Sequence, residues 1–75
     1  MPFEFLVVLY PTERRVKIND EYMGRTNTLL ELERGVYDVS LGPPMNFKPK
    51  SQRVDLRNTA AMTPMIVSFS PDVSS

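Results

Sequence analysis

The residues able to do chemistry in this chain are mostly carboxylates and cations. Glu31 and Glu33 lie two apart, so on a strand they share a face with about 6.5–7 Å between Cα atoms. Carboxylates so placed serve glycoside hydrolysis when a cleft raises the pKa of one of them. A chain of 75 residues has little room for such a cleft, and a solvated face is the simpler assignment. Asn19, Asp20 and Glu21 put hard oxygen ligands at one turn. Calcium needs about 6–8 oxygens, and no second cluster completes such a set, so a plain turn is expected and no metal. Lys48, Lys50, Arg53 and Arg57 enclose a single acid, Asp55. On a strand Arg53, Asp55 and Arg57 point the same way. With Phe47 and Tyr22 as stacking aromatics, and Tyr10 as a third, these cations form a candidate binding patch for phosphate or an anionic polymer. The alternative is an outer face on which two arginines pair Asp55. Arg14, Arg15 and Lys17 make a second basic run open to the same alternative.

The absences are as informative. The chain has no His, Cys or Trp. It therefore has no imidazole base, no thiol nucleophile, no zinc site of the usual kind and no disulfide scaffold. Its hydroxyls lack a base, and a Ser–Lys pair at Lys50 and Ser51 would rest on adjacency alone. No catalytic activity and no cofactor are expected. Nine basic and nine acidic residues give a net charge of zero, with no field to steer the protein to a nucleic acid. Residues 1–40 hold five basic and seven acidic groups, and residues 41–75 hold four and two. The longest apolar run, residues 5–10, is six residues, far below the roughly 20 of a membrane span. It is also short for a signal peptide, which places the chain as written in the cytoplasm, or in the cell envelope if it is a fragment. Met1 favours a whole gene product over one module of a longer chain.

Apolar content is 41% and charged content 24%, as in globular domains. One domain fits, residues 1–71, with 72–75 as a disordered tail. Its core must be thin, because a chain this short buries only about 60–65% of its unfolded surface. Seven prolines, about twice average usage, argue against long helices.

The apolar pattern has a period of two, the mark of half-buried strands. Residues 3–10 alternate and then become apolar on both faces, as a strand covered on both sides does. Such a strand has too few polar groups for an exposed edge, so it should be central or lie in a partner interface. Phe3, Phe5, Val7 and Leu9 are the candidate interface residues. Val16 and Ile18 flank Lys17, and Asn19 and Asp20 suit a hairpin turn. Tyr22 to Thr26 returns as a short strand in which Gly24 suits a bulge or a close backbone approach. Thr28 to Leu32 matches a short capped helix but also alternates, and a strand is expected. Tyr37, Val39 and Leu41, then Val54 and Leu56, then Met65, Val67 and Phe69 mark further strands. The expected core is Phe5, Val7, Leu9, Val16, Ile18, Leu30, Leu32, Tyr37, Val39, Leu41, Val54, Leu56, Val67 and Phe69. About seven short strands between frequent turns predict an all-β fold, a small antiparallel β-sandwich.

From Pro11 onward the residues resemble the PEGA domain. Pro11 takes the place of its leading proline. Val16-Lys17-Ile18-Asn19 resembles its strand and turn, and Gly24-Arg25-Thr26 its Gly-x-Thr signature. Leu30-Glu31-Leu32, Gly35, and Tyr37, Val39 and Leu41 follow in the same order without a gap. Thr12, Glu13 and Arg14 replace the rest of the name-giving motif, Asp20 stands where the turn glycine would be, and Asn27 where a proline would follow the threonine. The resemblance implies a prealbumin-like or immunoglobulin-like β-sandwich, without enzymatic activity or cofactor. It also implies an accessory module of bacterial and archaeal surface or signalling proteins. The expected role is a non-catalytic interaction or structural module that contacts a protein partner or a second copy of itself. Binding of carbohydrate or an anionic polymer is the second choice.

Overall fold

A computed structural model of the chain describes residues 3–72. Nine strands form: β1 (Phe3–Leu9), β2 (Arg15–Ile18), β3 (Glu21–Arg25), β4 (Leu29–Glu33), β5 (Gly35–Leu41), β6 (Phe47–Lys48), β7 (Gln52–Leu56), β8 (Met65–Ser68) and β9 (Ser70–Pro71). There is no helix among the described residues, and so none long and apolar enough to cross a membrane. A three-stranded sheet, β4-β1-β8, packs on a four-stranded sheet, β3-β2-β5-β7. The all-β sandwich expected from the alternation is what forms. The two strands beyond seven are β6 and β9, which pair two residues each at one end. Asp72 donates its N–H to Asn46 O at 2.9 Å, and residues 73–75 of the expected tail lie outside the described residues.

Pairing is antiparallel except between β1 and β8, which run parallel. Parallel neighbours require a crossover rather than a hairpin. Here β8 follows β7, a strand of the other sheet, and residues 57–64 carry the chain across. The β2–β3 hairpin has a two-residue loop, Asn19 and Asp20, with φ of 50° and 68°. Two positive φ values in succession are what a type I′ turn needs, and Asn and Asp tolerate them. Gly24 sits at the register shift between β2 and β3, with φ of 129°, and a Cβ there would lie 2.5 Å from Leu30 Cδ2. Bulge and close approach thus coincide at one glycine.

The core is a single cluster between the two sheets. Val16, Ile18, Leu30, Leu32, Val39, Leu41, Leu56, Val67 and Phe69 are buried in it, and Tyr37 and Val54 pack against it half-buried. The first strand corrects the expectation. Leu6, Val8 and Tyr10 face inward, while Phe5, Val7 and Leu9 face outward. Both phases of this strand are apolar, so alternation alone does not choose between them. Glu4 argued for the wrong phase, since a carboxylate is normally exposed. Yet Glu4 is 3% exposed.

Candidate interaction surfaces

Three places carry polar or apolar groups that the fold does not simply bury. The first surrounds Glu4. Thr59 donates both its N–H (2.9 Å) and its hydroxyl (2.6 Å) to Glu4 Oε1, and Arg34 Nε stands 3.6 Å from Oε2. The Thr59 hydroxyl oxygen in turn accepts from Phe5 N–H at 2.7 Å. These bonds hold the Glu4 carboxyl below the usual carboxylate pKa, the Thr59 hydroxyl first and its N–H next, against the opposing effect of burial. This group ties the 57–64 crossover to β1. It is structural, and sequence analysis missed it because Thr59 is 55 residues away.

A second fully satisfied cluster lies near the start of β2. Thr26, 1% exposed, accepts from Arg14 N–H (2.9 Å) and donates to Thr12 O (3.0 Å). Asn27 donates its N–H to Val8 O (2.7 Å) and its amide to Tyr10 O (2.9 Å), at a φ of 62°. A proline at this position could supply neither the donor nor that φ. Arg14 donates to Gly42 O and Pro44 O, each at 2.7 Å, and to Asn46 Oδ1 at 2.9 Å, with its guanidinium over Tyr10 and Phe47. Tyr10 and Phe47, expected to be exposed stacking residues, are instead buried. Phe47 meets Phe69 edge to face at 5.7 Å. Tyr22 remains half-exposed, but its ring packs on Gly42 and lies beneath the Arg15 and Lys17 cations.

The four cations of the second half do not form one free patch. Arg53 pairs with Asp38, its cross-strand neighbour, at 3.1 Å, and that bond raises the Arg53 pKa. Arg57 pairs with Asp55 at 2.8 Å. Lys48 lies on β6 and Lys50 in the following loop, both exposed. Ser51 opens on a polar depression of about 420 Å³ shared with Asp38 and Arg53. Asp20 pairs with Lys17 at 3.7 Å, and among the described residues no group of three acids is placed to hold a metal.

The outer face of the three-stranded sheet is a third place, and it is apolar. Register sets Phe3 opposite Glu33, Phe5 opposite Glu31, Val7 between Leu29 and Ile66, and Leu9 opposite Ser68. These side chains all point away from the core. Phe3 is 49% exposed, Leu9 40%, Leu29 46% and Ile66 52%. Phe5 and Val7 are half-buried among them. The four candidate interface residues, Phe3, Phe5, Val7 and Leu9, thus form one row along the central strand. Leu29 and Ile66 widen the row on both sides, which the sequence does not disclose because only strand order sets them beside Val7.

Beside this face, a groove of about 360 Å³ opens where the edge strands β3 and β4 approach each other. Ile18, Met23, Leu32 and Tyr37 make its apolar floor, and Glu21, Glu31 and Glu33 stand around it. The carboxylate pair of the sequence therefore lines an open groove, not an enclosed cleft. The chain belongs by its architecture to the small all-β sandwiches. Compared with protein-family models, with curated proteins and with solved structures, it matches none.

Proposed function

We propose that this protein is a non-catalytic interaction module that self-associates through the outer face of its three-stranded sheet. The observation that carries this is the row Phe3, Phe5, Val7 and Leu9, flanked by Leu29 and Ile66. Taking open side chains of this size at about 150–250 Å², the exposed fractions amount to ~400 Å² of contiguous apolar surface. A standard interface buries about 800 Å² per partner, roughly 60% of it apolar. The face therefore supplies most of the apolar area that a second copy would cover. A twofold arrangement with the two β1 strands antiparallel separates the Glu31 and Glu33 carboxylates of the two copies, so like charges do not meet.

The absence of His and Cys supports a non-catalytic role, and the ungapped PEGA-like order of residues 11–41 supports an accessory module. The anionic-polymer alternative has less support, because two of its three stacking rings are buried and two of its four cations are ion-paired. Light scattering over a wide concentration range tests the proposal. The expected result is a mass rising toward twice 8.6 kDa, and its loss in the double variant Val7→Gln, Ile66→Gln. A monomer at all concentrations, or an assembly the double variant leaves intact, would overturn it.

A further inference from the structure

Strand β4 pairs only with β1, so one of its edges is open. The direction of its backbone groups follows from two bonds. Phe5 N–H, on the far side of β1, is given to Thr59, so the odd-numbered residues of β1 turn their backbone away from β4. Their partners Leu29, Glu31 and Glu33 must likewise turn outward. Glu33 O does so, and accepts the Tyr37 hydroxyl at 2.6 Å. That bond closes one end of the open edge and leaves the N–H and C=O groups of Leu29 and Glu31 turned to its open side, where Glu31 lines the groove.

Charge selects what fits there. Glu4, Glu13, Asp20, Asp38 and Asp55 each have a basic partner. Among the described residues Glu21, Glu31, Glu33 and Asp72 have none, and the three glutamates line this groove, which no lysine or arginine lines. A strand added to the β4 edge presents its side chains alternately to the two faces. On the outer face they meet Glu31 and Glu33. On the inner face they meet Leu32, Ile18 and Met23.

We infer that the β3–β4 groove binds an extended peptide in which lysine or arginine alternates with apolar residues, added as an extra strand on β4. Cations pair across the strand with Glu31 and Glu33, and apolar side chains cover the groove floor. The same carboxylates oppose pairing of β4 with a β4 edge of another copy, because like charges would then lie opposite each other. This surface adjoins the apolar face proposed for self-association and shares Phe3, Glu31 and Glu33 with it, but its open backbone edge and its floor lie outside that face.

The test is an NMR titration of the full chain with the capped peptide Ser-Lys-Val-Lys-Val-Lys-Ser, with the protein's mass measured alongside so that failure of self-association is seen separately. Three further probes are a Glu-for-Lys peptide, a peptide N-methylated at alternate residues, and the protein variant Glu31→Gln, Glu33→Gln. The expected shifts centre on Leu29, Glu31, Met23 and Glu21, with slowed amide exchange at Leu29 and Glu31. Affinity should fall about three- to tenfold in the double variant, as loss of two exposed ion pairs gives, and be lost for the acidic and the N-methylated peptides. Equal binding of the acidic or N-methylated peptide, shifts centred elsewhere, or no shift at millimolar peptide would overturn the inference.

Discussion

The two faces of the three-stranded sheet are made of nearly the same residues and have different fates. The inner face carries Glu4, Leu6, Val8, Leu30, Leu32 and Val67; the outer face carries Phe3, Phe5, Val7, Leu9, Leu29, Ile66, Glu31 and Glu33. Each has a run of large apolar side chains, and each has carboxylate. The inner carboxylate has Thr59 and Arg34 brought to it, whereas the outer ones have no basic partner among the described residues. A charge is thus a poor marker of the outside. What separates the faces is whether the fold supplies each group with a partner, and the groups left without one are where binding is to be sought.

The largest test of this contrast is to remove one apolar side chain from each face. Leu6 is fully buried, and Leu6→Ala should cost about 2–5 kcal/mol. That is a large share of the roughly 4–11 kcal/mol expected for a domain of 75 residues. Ile66→Ala, on the half-exposed outer face, should cost below about 1 kcal/mol in the monomer. Urea unfolding of both variants at a concentration where the protein is monomeric gives the comparison. Equal costs would mean that the outer face is already packed within one molecule, and no surface would remain for a second copy.

The next effect concerns the inner carboxylate and pH. The folded-state pKa of Glu4 is lowered, so the unfolded chain binds more protons on acidification. The stability this group contributes is complete above the ordinary carboxylate range and is lost as pH falls through the lowered folded value. Unfolding followed from pH 7 downward should therefore show an acid-side loss, and Glu4→Gln should flatten it. Thr59→Val should flatten it in part, because it removes the hydroxyl bond, the largest of the effects that lower the pKa, and leaves the backbone N–H of residue 59 and Arg34 in place. An acid limb unchanged in both variants would show that Glu4 is not held in the way its geometry indicates.

This same strand shows how far the sequence was legible. Alternation at residues 16–18, 29–33, 37–41, 52–56 and 65–69 was enough for an all-β sandwich, because each of these segments has one apolar phase and one that is polar but for Leu29 and Ile66. The turn at Asn19 and Asp20 and the bulge at Gly24 were legible from local backbone chemistry. The phase of β1 was not, because its choice depends on Thr59 and Arg34, which only the fold brings near. The binding patch failed for a related reason. Phe47, Tyr10 and the arginines had the right types for a ligand, but Phe69, Arg14, Asp38 and Asp55 had claimed them, and those pairings are set by strand order. The spacing of Glu31 and Glu33 shows a shared face and no more. Their relation to the groove required knowing that β4 is an edge strand facing β3.

The smallest effect is the sharpest test of the contrast. Glu31 and Glu33 lie on the same outer face of one strand, and no ion pair holds either among the described residues. Replacing both by Gln should change monomer stability by no more than about 0.5 kcal/mol, as expected for surface positions without structural contacts. The sign should be slightly favourable, since neighbouring like charges on one face repel. A loss above ~1 kcal/mol would show that the outer carboxylates, like Glu4, are engaged within the molecule, and the difference between the two faces would collapse. An unchanged stability together with weakened peptide binding would show the reverse: two carboxylates on the edge of a thin-cored sandwich that contribute nothing to the fold and are free to recognise a cationic strand.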